Sequence, residues 1–177
     1  MASIIKANQL QDFGGNSIIG SDGAGNLTTQ KTLYPAFFAY SNSDQTVTDA
    51  AVTKVQFQTE EFDTDNAFDN STNYRFTVPT GKDGKYYVST GVYMEEATGS
   101  GIDRTVLYVY KNGSQEALAY FDLASGDFRA TPVISVMLDL VAGDYLEVYG
   151  VLDSLGSAPK FKSSTISTYF GAYRIGS

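Results

Sequence analysis

Val133-Ile134-Ser135-Val136-Met137-Leu138-Asp139-Leu140-Val141-Ala142-Gly143-Asp144-Tyr145-Leu146-Glu147-Val148-Tyr149-Gly150-Val151-Leu152 repeats one pattern twice. Ile134, Val136, Leu138 and Leu140 stand two residues apart, as do Leu146, Val148, Gly150 and Leu152. That spacing puts alternate side chains on opposite faces of an extended backbone, so each run predicts a half-buried strand. Gly143 and Asp144 fall between the runs and predict the turn, with Gly143 in a conformation a β-carbon would make costly. The same period recurs in Tyr74, Phe76 and Val78; in Tyr86, Val88, Thr90 and Val92; in Val106, Tyr108 and Tyr110; and in Ile166, Thr168 and Phe170. Residues 36–40, 52–57 and 117–121 add further candidates, about nine or ten strands in all. Asn112-Gly113 is the sharpest hairpin signal, because both residues tolerate the positive φ of a type I′ turn. No window carries an i, i+3, i+4, i+7 apolar face, and the acidic stretch 59–70 reads as turn chemistry. Many short strands with regular turns and no internal repeat predict an all-β sandwich or jelly roll.

At 177 residues the chain has room for one ordinary domain and a small appendage. Composition changes near Lys31. Residues 1–31 are rich in Gly, Asn, Ser, Thr and Gln, with isolated apolar residues at Ile4, Ile5, Leu10, Ile18, Ile19 and Leu27. Such a segment cannot bury a core of its own, so it reads as an attachment and trimerisation arm whose short strands find partners on another chain. Residues 32–177 carry the regular strand pattern and form the expected head.

The chemistry open to the chain is narrow. It holds no His and no Cys, which removes a His-based triad, a Cys nucleophile and thiolate or imidazole metal sites. Gly-x-Ser-x-Gly is missing, and Thr80-Gly81-Lys82-Asp83 lacks the remaining residues of a phosphate-binding loop, so it reads as a charged hairpin turn. Carboxylate pairs at Glu60-Glu61, Asp63 with Asp65, and Glu95-Glu96 are the remaining catalytic option. Neighbours on a strand point to opposite faces, and the chain is expected not to be an enzyme. No cofactor is expected. The candidate cation is Ca2+, held by Asp63, Asp65 and Asp69, although Ala67, Phe68 and Tyr74 break the EF-hand pattern and an ordinary Asx-turn loop accounts for the same residues.

A net charge of −8 with no cluster of cations argues against nucleic acid. Residues 1–8 lack the apolar core of a signal peptide, so synthesis in a cytoplasm is expected. Pro35 and Asp139 interrupt the longest apolar runs, which fall short of the roughly 20 residues of a membrane span. Thirteen tyrosines and no tryptophan suggest tyrosine-rich core and subunit interfaces, with a carbohydrate-stacking tyrosine a further option.

Several blocks, in order, resemble the C1q/TNF-like jelly roll. Phe68-Asp69 followed after four residues by Tyr74, then Phe76-Thr77-Val78-Pro79 and Gly84-Lys85-Tyr86-Tyr87-Val88, is similar to the opening of that family. Leu107-Tyr108-Val109-Tyr110-Lys111-Asn112-Gly113, then Leu138 to Val148 around Gly143-Asp144, and the closing Thr168-Tyr169-Phe170-Gly171-Ala172-Tyr173 resemble its later strands. The resemblance implies a ten-stranded jelly roll, a homotrimer, and both termini near the base. In the arm, Ile5-Lys6-Ala7-Asn8-Gln9-Leu10-Gln11-Asp12, Gly14-Gly15-Asn16-Ser17-Ile18-Ile19 and Ser21-Asp22-Gly23-Ala24-Gly25-Asn26-Leu27-Thr28 resemble the opening of fibre and appendage proteins of tailed bacteriophages. This second resemblance implies a virion protein made in the host cytoplasm: a head fibre, capsid decoration or tail appendage. Its arm would dock on a capsid, portal or tail protein, and its head would face a host-surface glycan or protein. A soluble C1q-like ligand-binding module and a glycan-cleaving tail enzyme are the alternatives.

Overall fold

The computed structural model describes residues 9–15, 17–21, 23–24, 27–29, 35–124 and 126–176. The chain divides into two compact units, Met1–Leu33 and Tyr34–Ser177. In the first, β1 (Gln9–Gln11), β2 (Ser17–Ser21) and β3 (Leu27–Thr29) form an antiparallel meander. The Asp12 carboxylate accepts a hydrogen bond from the Gly14 N–H (2.9 Å) and shapes the first turn. These strands pair with each other within the chain. The sheet still hides little, since Leu10 is 57% and Ile19 37% exposed.

The second unit is a sandwich. One sheet runs β15 (Val133–Leu140), β10 (Gly84–Gly91), β18 (Ser164–Gly176), β4 (Ala36–Ser41), β7 (Thr59–Asp63). The other runs β13 (Ser114–Asp122), β12 (Ile102–Lys111), β16 (Tyr145–Ser154), β9 (Arg75–Thr77), β8 (Phe68–Asp69), with β6 (Thr53–Lys54) also paired to β16. Their inward residues obey the period-two pattern: Phe37 and Ala39, Tyr86 and Val88, Phe170 and Ala172 from the first sheet meet Phe76, Leu107, Val109, Leu146 and Val148 from the second. Phe37 is the hub, stacked on Phe68 (4.8 Å) and Phe76 (4.9 Å) and meeting Phe170 edge-on (4.9 Å). Each fully buried ring or aliphatic side chain stabilises the fold by about 1.5–3 kcal/mol relative to exposure.

A smaller sheet, β14 (Arg129–Ala130), β11 (Met94–Glu96), β17 (Pro159–Phe161), β5 (Gln45–Thr46), closes one end. Lys85 opposes Gly176 and Tyr173 opposes Ala36, so the head's first and last strands meet at the other end. Gly84 lies there with φ 145°, where an added Cβ would stand 2.1 Å from the Gly176 carbonyl oxygen, too close for any side chain.

The hairpin between β12 and β13 is as expected: Asn112 (φ 52°) and Gly113 (φ 79°) form the two-residue loop between the paired Lys111 and Ser114. Other expectations need correction. Residues 52–57 supply only the two-residue β6, the rest following β16 as an irregular segment tied by Val55 N–H to Val148 O (2.9 Å). The acidic stretch 59–70 contains β7 and β8, since pairing with β4 and β9 overrides local turn preference. Thr80-Gly81-Lys82-Asp83 is no hairpin, because it links β9 to β10 across the two sheets.

Candidate functional site

The carboxylate pairs do not converge. Glu95 faces Arg129 (2.9 Å) and Lys162 (3.6 Å), whereas Glu96 points inward and is fully buried. Glu96 accepts hydrogen bonds from the Thr98 hydroxyl (2.6 Å) and from the N–H groups of Thr98 (3.1 Å), Ser100 (2.8 Å) and Ala158 (3.2 Å). The Thr98 hydroxyl first, then the backbone donors, outweigh burial and hold its pKa at about 2. Held by these four donors and fully buried, the carboxylate ties two loops of the far end together. Glu60, on the edge strand β7, is pushed up by burial and by the nearby charges of Asp63 and Asp69.

Asp63, Asp65 and Asp69 serve the loops that carry them. Asp63 accepts from the N–H groups of Asp65 (3.1 Å) and Phe68 (2.7 Å), and Asp65 from the Thr64 hydroxyl (2.6 Å). Asp69 caps the backbone of Ser71 (3.0 Å), Thr72 (2.9 Å) and Asn73 (3.1 Å), and these bonds, Thr72 foremost, hold its carboxyl well below the usual range. Among the described residues no three acidic side chains come together as a cation site.

The two turn signals, by contrast, meet. Asp144 Oδ1 accepts from Asn112 Nδ2 (2.7 Å), Oδ2 accepts from Val141 N–H (2.9 Å), and Lys111 Nζ lies 3.0 Å away. Asn112 Oδ1 in turn accepts from Tyr145 N–H (2.9 Å). Gly143 has φ 89°, as the turn requires. Of the arm residues, Leu10 and Ile19 are exposed, Ile18 and Leu27 lie on β2 and β3, and Ile4 and Ile5 fall outside the described residues. Phe13, which the sequence reading passed over, is fully exposed beside them.

The aromatic residues supply the most distinctive surfaces. On the five-stranded sheet the register aligns Ser89, Gly171, Phe38 and Phe62 in one outward row and Met137, Tyr87, Tyr173 and Ala36 in the next. Phe38 stacks on Tyr169 (5.6 Å) and Phe62 (6.4 Å), and Tyr87 leans on Tyr173 (5.4 Å). They line a shallow groove of about 770 Å³. Phe62, Val133, Met137, Tyr173 and Ile175 remain between 44% and 70% exposed. The doublets Phe37-Phe38, Tyr86-Tyr87 and Tyr169-Phe170 were the available signal: on a strand, one member of each must face away from the core.

No protein-family model matches the chain, and no curated protein matches it in sequence. Solved structures do match in shape. Murine APRIL at pH 5.0 superposes with a TM-score of 0.60 at 14% identity, covering 80% of this chain and 99% of that one. The globular domain of zebrafish complement 1qA gives 0.58 at 20%, covering 80% and 97%. Eiger TNF from S. frugiperda gives 0.60 at 14%, covering 81% and 93%. The head therefore has the C1q/TNF-like jelly-roll fold.

Proposed function

We propose that the protein is a non-enzymatic structural component of a tailed-bacteriophage virion, a trimeric head fibre, capsid decoration or tail appendage. Its N-terminal arm anchors it to a capsid, portal or tail protein, and its jelly-roll head projects toward the host surface. The observation that carries this reading is the aromatic outward face of the five-stranded sheet. Contiguous apolar patches of this kind mark association surfaces, and a closed symmetric oligomer covers them without leaving a free edge. The family-like blocks favour three copies. The virion assignment draws on the arm's resemblance to the opening of fibre and appendage proteins of tailed bacteriophages.

Light scattering tests the assembly: the expected mass is three times the 19.1 kDa chain, and Tyr173→Asp, which places a charge in the patch, should release monomers. A mass of one chain at micromolar concentration would refute the trimer. Mass spectrometry of purified virions tests the location. Finding the chain in particles, lost when Ile18 and Ile19 are both replaced by Ser, supports the anchored appendage; a trimer absent from particles would instead identify a soluble binding module.

A further inference from the structure

Asn112 is the chain's only asparagine followed by glycine. That pair is the one most prone to cyclise, because the glycine carries no side chain to shield its own nitrogen. Both residues are exposed at the tip of the hairpin between β12 and β13, with φ of 52° and 79°. Among the described residues nothing accepts from the Gly113 N–H, so the nucleophilic nitrogen is open to reaction. The electrophile, by contrast, is held. Asn112 Nδ2 donates to Asp144 Oδ1 (2.7 Å) and Asn112 Oδ1 accepts from Tyr145 N–H (2.9 Å), while the Asn112 N–H donates to Tyr145 O (3.0 Å). Asp144 is in turn paired with Lys111 (3.0 Å).

We propose that Asn112 is a site of spontaneous deamidation and that Asp144, with the Tyr145 backbone, restrains the reaction by clamping the side-chain amide. In that reaction the Gly113 nitrogen gives up its proton and bonds to Asn112 Cγ; the Cγ–Nδ2 bond breaks, and ammonia leaves with the proton. The five-membered imide then takes up water at either carbonyl and opens to aspartate or isoaspartate at position 112. Water is consumed and ammonia released, with no change of oxidation state. The clamp opposes this in two ways. Turning Cγ onto the following peptide nitrogen takes both amide atoms off their partners on residues 144 and 145, and the anionic acceptor beside Nδ2 strengthens amide resonance and repels the oxyanion forming at Oδ1. Either product ends the clamp. A carboxylate then replaces the donor that faces Asp144, so like charges meet, and isoaspartate also lengthens the backbone of a two-residue loop.

The test is ageing of the full-length protein in mildly alkaline buffer, with peptide mass spectrometry reading amide loss at position 112 and an isoaspartate-specific methyltransferase reading the isomer. The expected rate rises with pH and is about tenfold or more lower in the folded protein than in urea-unfolded chain. Gly113→Ala should slow the unfolded chain several-fold. Asp144→Ala, aged where urea titration shows it folded, should recover most of the unfolded rate. Asp144→Asn, which keeps an acceptor without the charge, should lie between native and alanine proteins and carries the comparison if the alanine variant does not fold. Phe57→Leu, which weakens the core away from this turn, should keep the native rate. A folded rate equal to the unfolded one overturns the proposal, as does an unmodified position 112 in unfolded chain or a native rate in both Asp144 variants. Equal acceleration by Phe57→Leu and the Asp144 variants overturns it too, because the reaction would then belong to transiently unfolded chain and not to the folded turn.

Discussion

Asp144→Ala should be among the most destabilising single changes at the end where the head begins. The carboxylate is 8% exposed and serves Val141 N–H, Asn112 Nδ2 and the Lys111 ammonium. Hydrogen bonds to a charged group contribute about 1.5–3 kcal/mol each, and a buried donor left unpaired costs about 1–3 kcal/mol. Because the three contacts share one carboxylate, a total near 3 kcal/mol is expected. For a domain of this size that lowers the melting temperature by about 6–12 °C. Asn112→Ala alone and the double variant complete a cycle, and the coupling between these positions, 32 residues apart, should reach about 1 kcal/mol or more. Acid should shrink the effect. Burial pushes the Asp144 carboxyl up, but the bonds from Val141, Asn112 and Lys111 outweigh it and leave the folded pKa below the ordinary 3.8. The stabilisation is therefore complete above 3.8 and is lost as pH falls through the lower, folded value. Urea unfolding of the four proteins, repeated along a pH series, supplies every number. Additivity within about 0.5 kcal/mol, or a gap between native and Asp144→Ala proteins that persists in strong acid, would refute the link between the two turns.

Glu96→Gln should lower the melting temperature at neutral pH by removing the charge and setting an NH2 donor where one carboxylate oxygen accepts, and the difference from the native protein should fade as pH drops from 4.5 toward about 2, which a calorimetric series would show. Gly143→Val should destabilise by about 1–3 kcal/mol, entirely through φ, because nothing lies within 4 Å of an added Cβ; an unchanged melting curve would contradict the turn. A chain beginning at Thr32 should keep the head's melting temperature, whereas an unfolded head would make residues 1–31 part of its core. Replacing Ile18 and Ile19 by Ser should remove roughly 3–6 kcal/mol of possible burial per chain at the anchoring surface and leave the isolated head's melting curve in place.

Much of this was legible in the residues alone. Period-two spacing through residues 133–152 marked two strands and a turn, and Asn112-Gly113 marked a type I′ hairpin, because both are properties of the local backbone. The lack of His and Cys confined the chemistry before any fold was known. Local pattern failed where a strand exists only because a neighbour pairs with it. Short β5, β11, β14 and β17 carry too few residues for a period, and β7 lies in acidic sequence that pairing with β4 makes extended.

The sequence by itself determined that this is an all-β chain with no nucleophile–histidine chemistry, because strand period, turn residues and side-chain inventory are local quantities. Only the tertiary structure decided which member of Phe37-Phe38, Tyr86-Tyr87 and Tyr169-Phe170 enters the core, and that the excluded rings share one face. It alone brought Asn112 to Asp144. Alternation says that neighbouring side chains part; which face becomes the interior depends on sheet order and register, and those are set by strands far apart in the chain.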